Sequence, residues 1–304
     1  MIRPHQNAAP LPNRAGVGAS YIWLQKGNWK TMFEFLVQRF PDVGAALWQD
    51  RLARGEVVDE AGNAIADFTP YAWGGRIFYY RELHNETVIP FNETVLFQDE
   101  HILVVDKPHF LPVIPTGRFL HETLLVRLKN RLDLPKLSPI HRLDRETAGV
   151  MIFSVDQSSR GAYQSLFQQR GVMKEYQALA PHTETITPPF TYRSLMVAGE
   201  PFFRMQEIPG TPNSETQIEI IERIGAVSRY RLLPITGRKH QLRVHMAALG
   251  VPILNDDFYP TALACKADDM TRPLKLLSRS IEFVDPITGN ERQFESQFKL
   301  EIEN

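Results

Sequence analysis

The stretch His141-Arg142-Leu143-Asp144-Arg145-Glu146-Thr147-Ala148-Gly149 sets one carboxylate, Asp144, between two arginines and runs straight into Val150-Met151-Ile152-Phe153. The apolar run reads as a buried strand. An acid placed at the mouth of such a strand loses solvation, and an arginine partner within a few ångströms would favour its charged form. Charged clusters of this kind concentrate at functional sites, although ion-pair scaffolds also produce them. The spacing alone divides evenly between a structural salt bridge of Asp144 to Arg142 or Arg145 and a reactive aspartate.

Working outward, the second informative run is Pro234-Ile235-Thr236-Gly237-Arg238-Lys239-His240-Gln241-Leu242-Arg243-Val244-His245. A strand ends, Thr-Gly turns the chain, and a basic helix begins. Its first backbone N–H groups, beside Arg238 and Lys239, offer a sequence-independent phosphate contact. Arg243 stands between Leu242 and Val244, so its guanidinium calls for a carboxylate. His240 and His245 are five residues apart, roughly 140° around a helix, and share no face. With no acidic cluster beside them, no metal is expected. A third run, Lys174-Glu175-Tyr176, opens a strand; on its own it is an ordinary edge tyrosine packed inward.

Together, in this order and with these strand contexts, the three runs resemble the motifs of the RluA-type pseudouridine synthases. The resemblance covers roughly Val95 to Phe294. It implies isomerisation of uridine to pseudouridine within RNA, without cofactor or metal. It assigns catalysis to Asp144, the pairing arginine to Arg243, and a base-packing, proton-handling tyrosine to Tyr176. Arg142 would fill the space left by a flipped base or else touch a phosphate, with Arg145, Arg238 and Lys239 as further RNA contacts. Ala148 departs from the serine usual in the family. Leu276-Leu277-Ser278-Arg279-Ser280 departs from its frequent Leu-His-Ala, which alters a pocket wall.

Ahead of this region, residues 28–83 form a smaller unit. Met32, Phe33, Phe35, Leu36 and Phe40 recur at helical spacing until Pro41. A second helix ends at Gly55, a residue suited to the left-handed position past a C-terminus. Val57-Val58 and Ile77-Tyr80 read as strands. Residues 30–81 resemble an S4 RNA-binding domain, which would present Arg39, Arg51 and Arg54 to RNA; a solvated helix face accounts for them equally well. The expected layout is a loose tail over 1–27, the S4-like αβ domain over 28–83, a linker over 84–93 and a catalytic domain over 94–304. The fold class is α+β, with a mixed, mostly antiparallel sheet. Strands are expected at 94–98, 101–106, 150–154, 174–181, 216–222 and 228–233, and helices at 121–131, 158–170 and 239–249. A final hairpin turns at 287–290.

The 304 residues carry a net charge of −1 and are 43% hydrophobic. That excludes a uniformly basic nucleic-acid coat protein, though not an RNA enzyme with its cations on one face. One cysteine, Cys265, rules out an intramolecular disulfide and a cysteine-based zinc site. No apolar run spans a bilayer and the N-terminus lacks a secretion signal. A monomer in the cytoplasm is the expectation, acting on RNA, with ribosomal RNA ahead of transfer RNA because an S4 module precedes the catalytic region. Two other classes compete. A non-catalytic RNA-binding protein would need none of Asp144, Tyr176 and Arg243. A glycoside hydrolase would use Asp144 with Glu146, whose Cα atoms stand roughly 6–7 Å apart on an extended segment. It lacks sugar-stacking tryptophans near the motif, and Glu146 reads as a solvated charge.

Overall fold

The computed structural model describes residues 9–83, 85–187, 190–262 and 269–301. Cys265, residues 1–8 of the expected tail and His84 at the head of the expected linker lie outside them. Two compact units divide the chain. One runs up to Glu86 and includes Pro115–His121; the other holds Thr87–Ile114 and everything from Glu122 onward.

The first unit contains β1 (Ser20–Trp23), α1 (Met32–Arg39), α2 (Ala45–Ala53), β2 (Val57–Val58) and β3 (Arg76–Tyr79), its sheet ordered β1-β3-β2. Thr31 caps α1 by accepting from the Glu34 amide, and the Glu34 carboxylate accepts from the Lys30 amide (3.2 and 2.7 Å). Helix α2 closes with Gly55 at φ +67° and paired bonds from the Gly55 and Glu56 amides to the Leu52 and Arg51 carbonyls. Phe35, Leu36, Trp48, Val57 and Ile77 fill the core between helices and sheet. The loose tail expected over 1–27 is corrected at Ser20–Trp23, which pairs antiparallel with β3 from Ser20↔Tyr79 to Trp23↔Arg76. Tyr21-Ile22-Trp23 is a run of strand-forming residues, and Ile22 packs on the core.

The second unit contains β4 (Thr94–Gln98), β5 (Ile102–Lys107), α3 (Leu124–Leu132), β6 (Ser138–Pro139), β7 (Ala148–Ser154), α4 (Arg160–Gln168), β8 (Val172–Pro181), β9 (Phe190–Ala198), β10 (Met205–Ile208), β11 (Ser214–Ile224), β12 (Val227–Pro234), α5 (Gln241–Ala248), β13 (Leu276–Val284) and β14 (Glu291–Glu295). One sheet runs β10-β9-β11-β12-β8-β13-β7-β5-β4, with β14 on β13 and β6 on β7. Its pairings are antiparallel except β13 with β7, so the expected mixed, mostly antiparallel α+β architecture is present. Leu242 and Met246 seat α5 on Ala178, Ile218, Tyr230 and Leu232. Tyr163 of α4 packs with Ile102, Val104, Val150 and Ile152.

Residues 85–93 differ from the expected linker. Ile89 and Glu93 are buried. The Ile89 amide donates to Glu122, and Arg127 of α3 donates to the carbonyls of Ile89 and Phe91. Polar composition suggested a free connection, but α3 supplies partners for its backbone. The hairpin β9–β10 was not expected either, since its strands alternate weakly and carry several polar residues.

Candidate active site

Asp144 sits on the turn that feeds β7, where the Thr147 amide donates to the Asp144 carbonyl at 3.2 Å. Three buried or half-buried bases clamp this turn by its backbone. Lys107, fully buried at the end of β5, donates to the carbonyls of Pro108, Leu111 and Arg145 at 2.9, 2.9 and 3.0 Å. Burial pushes its pKa down to about 7, with Glu146 and Asp144 opposing. Three carbonyl acceptors match the three donors of the ammonium form. His109 donates from Nδ1 to the Glu146 carbonyl at 2.6 Å, and burial lowers its pKa to about 4. His141 accepts at Nε2 from the Ile152 amide (3.1 Å) and stacks on Phe167 at 4.7 Å. Burial takes it down to about 3, so it is neutral with its proton on Nδ1. Gly149, at φ +112°, lets β7 pass so close to β13 that a Cβ there would lie 2.2 Å from the Ser278 carbonyl oxygen.

Arg243, on α5, is 1% exposed and lies among three acids. Its Nε and Nη2 bond both oxygens of Asp256 at 2.8 and 2.7 Å. Its Nη1 reaches Asp144 Oδ2 at 3.3 Å and Glu146 Oε2 at 3.9 Å. Burial works against the Arg243 charge, but the bonds and charge of Asp256, then those of Asp144 and Glu146, outweigh it and raise its pKa. Asp256 is itself held by the amides of Phe258 and Tyr259 (2.8 and 3.1 Å). The Phe258 ring covers the guanidinium at 4.7 Å. Asp144 keeps 26% of its side chain open to solvent, against 1% for Asp256. The exposed acid is therefore the one placed to meet a ligand.

Two further groups face Asp144. The Tyr259 hydroxyl accepts from the Met205 amide (2.8 Å) and shares a hydrogen bond with His240 Nδ1 (2.9 Å). His240 Nε2 lies 3.8 Å from Asp144 Oδ2. Burial lowers the His240 pKa. Tyr176 pairs across β8–β13 with Ser278. Burial pushes its hydroxyl up to about 12, against the Ser278 hydroxyl and with the Asp144 charge adding to the rise.

The structure thus brings Asp144, Arg243 and Tyr176 together, and the other expected residues divide. Arg142 is exposed beside Asp144, whereas Arg145 is mostly covered and paired with Glu146 at 3.2 Å. Arg238 and Lys239 are exposed. The helix starts two residues later than expected because His240 takes a left-handed φ of +57°. Arg39 is exposed, and Arg54 lies among Asp50, Glu56 and Glu82 at 3.0 to 3.6 Å. Arg51 is 3% exposed, against the ring of Trp48 and 3.5 Å from Glu82, so it is not on the surface that RNA would meet. Glu146 is corrected as well: it is buried among Arg145, Arg243 and Lys107. His240 and His245 point apart, His245 to Thr216 and Ser214 at 3.0 and 2.9 Å. No metal-binding group of His, Cys, Asp or Glu occurs among the described residues, and no helix there is long and apolar enough to cross a membrane. Sequence reasoning missed Asp256, Lys107 and the His240–Tyr259 pair. The one signal for Asp256 was an acidic pair, Asp256-Asp257, set against Phe258-Tyr259 just past an apolar run.

Residues 101–248 match the family model described as RNA pseudouridylate synthase. The chain is 33% identical over 211 residues to the dual-specificity RNA pseudouridine synthase RluA of Escherichia coli O6:H1, covering 66% of this chain and 91% of that protein. It is 30% identical over 248 residues to the mitochondrial tRNA pseudouridine(32) synthase of Saccharomyces cerevisiae, covering 79% of this chain and 53% of that one. The chain thus spans about half the length of the yeast relative. The solved human RNA pseudouridylate synthase domain containing 4 superposes with a TM-score of 0.53 at 26% identity, over 67% of this chain and 88% of that one. The human domain containing 1 does so with 0.56 at 24%, over 68% and 84%, and supports the fold. The mostly antiparallel sheet is the fold of the solved pseudouridylate synthases. On these matches the chain belongs to the RNA pseudouridine synthase family, of the RluA type, a family of isomerases.

Proposed function

We propose that this protein converts uridines to pseudouridine in structured RNA, with Asp144 as the reacting group. The observation that carries the reading is the geometry around Arg243. Asp256 takes two of its nitrogens, and the third is turned to an Asp144 that remains open to solvent. In the reaction the N1–C1′ bond breaks, the uracil turns, C5 bonds to C1′, C5 loses a proton and N1 gains one. A carboxylate serves either by attacking C1′ or by removing the neighbouring sugar proton. Arg243 supplies the positive countercharge, and His240, 3.8 Å from Asp144, helps to orient the carboxylate. Tyr176, its hydroxyl pushed up to about 12, holds its proton at neutral pH. It contributes a ring face and a hydrogen bond, and the C5 proton leaves to water or a carboxylate.

The target base must leave its stack, at a cost of a few kcal/mol. Arg142, exposed two residues before Asp144, fills the vacated space or meets a neighbouring phosphate. Arg238 and Lys239 contribute phosphate contacts, and the first unit, read as S4-like, adds Arg39 and Arg54. The two-unit layout favours ribosomal RNA, while the name of the yeast relative brings transfer RNA onto an equal footing.

The test is tritium release from RNA labelled with 5-tritiated uridine, using ribosomal and transfer RNA fractions from cells lacking the gene. Wild type should release tritium, and Asp144→Asn should release none while binding RNA about as tightly. Equal release by the variant would remove Asp144 from the chemistry. No release from either fraction by wild type would favour the non-catalytic RNA-binding reading.

A further inference from the structure

We propose that Phe202, at the tip of the β9–β10 hairpin, stacks on an unpaired base of the substrate RNA that neighbours the uridine at Asp144. The inference rests on the functional reading above. Phe202 is 87% exposed, the most exposed large apolar side chain among the described residues. It stands at the end of a continuous series of rings leading to the site. Phe202 meets Phe203 at 5.7 Å, Phe203 meets Phe258 at 5.0 Å, and Phe258 meets His240 at 5.7 Å and covers Arg243 at 4.7 Å.

The hairpin is anchored to the same segment that orders the site. The Met205 amide donates to Tyr259, the partner of His240 (2.8 Å). Arg204 lies over the Tyr259 ring at 4.9 Å and donates to the Pro260 carbonyl at 2.6 Å. Amide bonds from Gly199 to the Arg204 carbonyl and from Arg204 to the Pro201 carbonyl (3.1 and 2.8 Å) close the tip. The hairpin that carries the ring is therefore held to the segment that orders the site.

The chemistry of the display selects its occupant. A protein interface needs a broad apolar patch, whereas a single ring with a free face suits one nucleobase. A flipped uridine leaves its neighbours unstacked, and base–aromatic stacking compensates without reading sequence. Glu200, beside the tip, disfavours a phosphate there.

The experiment compares Phe202→Ala, Phe202→Leu and Phe202→Trp with wild type on 5-tritiated-uridine RNA, and follows the emission of Phe202→Trp, corrected for wild type, as unlabelled total RNA is added. Alanine and leucine should lower kcat/KM by roughly 5- to 150-fold, the size of one base–aromatic stack. The loss should fall on KM, with the rate at saturating RNA nearly unchanged. Tryptophan should retain activity, and its emission should be quenched by RNA. Wild-type kcat/KM in Phe202→Ala, leucine serving as well as phenylalanine, or unquenched emission would each overturn the stack. If wild type releases no tritium but the emission is quenched, the functional reading falls and the stack stands.

Discussion

Arg243 shows how a buried cation can be aimed. A fully buried guanidinium persists only with fixed partners, because taking its charge out of water is costly. Asp256 meets that need with two bonds, and the amides of Phe258 and Tyr259 hold Asp256 in turn. The remaining nitrogen then bonds Asp144, with Glu146 a little farther off. Asp256 is accordingly a positioning residue. Replacing it with asparagine halves the fork and leaves the cation under-compensated. Asp256→Asn should lower kcat far more than KM and cost about 3 kcal/mol of stability, read by tritium release and urea unfolding. Full kcat with only a stability loss would confine Asp256 to the scaffold.

At the scale of elements, the site depends on β7 leaving the motif in one register beside β13. Leu277 pairs with Ala148 and Ser278 with Gly149, the parallel contact of an otherwise antiparallel sheet. Ala148 is fully buried with Leu179, Leu277 and Leu300, an apolar setting in which a methyl group leaves no hydroxyl unpaired. Gly149→Ala would drive its methyl into the Ser278 carbonyl at a backbone angle that alanine rarely adopts. It should cost at least about 2 kcal/mol and sharply reduce activity, since the shift passes directly to Asp144. Circular dichroism during urea unfolding, with activity alongside, checks this; a variant of unchanged midpoint would show that the strands can separate at no cost.

For the molecule as a whole, acid stability follows from its neutral histidines. His109, His141 and His245 are depressed from 6.5 to about 4, 3 and 4, mainly by burial. Below pH 6.5 the unfolded chain binds protons that the folded chain does not, so stability falls as pH falls. The slope is up to about 1.4 kcal/mol per pH unit for each histidine, and it ends near the folded values. Melting temperature should therefore drop from pH 7 to pH 5, and His245→Gln should flatten that drop; a pH-independent melting temperature would contradict it. The first unit makes a separate prediction. Arg39→Glu on α1 should weaken RNA binding several-fold and reduce its salt dependence by about one counterion or more, measured by filter binding across a salt series. An unchanged slope would remove that helix face from the RNA contact.

The sequence by itself determined whatever is local. Alternation and turn residues marked β4, β5 and the last hairpin. Glycine and proline marked the ends of α1, α2 and α5. The resemblance of three short runs to the motifs of the RluA-type synthases, which spacing alone did not decide, singled out Asp144, Arg243 and Tyr176 as one site. These are signals that a few neighbouring residues carry among themselves. Tertiary structure alone decided which charges are buried and which side chains meet. Asp144 and Arg243 are 99 residues apart, and the bond that aims Arg243 comes from Asp256, on a loop with no periodic pattern. Arg51 and Glu146 look solvated in sequence because charge is a poor guide to exposure once a partner lies across the fold. Lys107 reads as the end of a strand until three carbonyls from two segments converge on it. Hydrogen bonds and ion pairs at such separations follow from how the sheet is ordered, and strand order is set by packing across the whole unit rather than by any one segment.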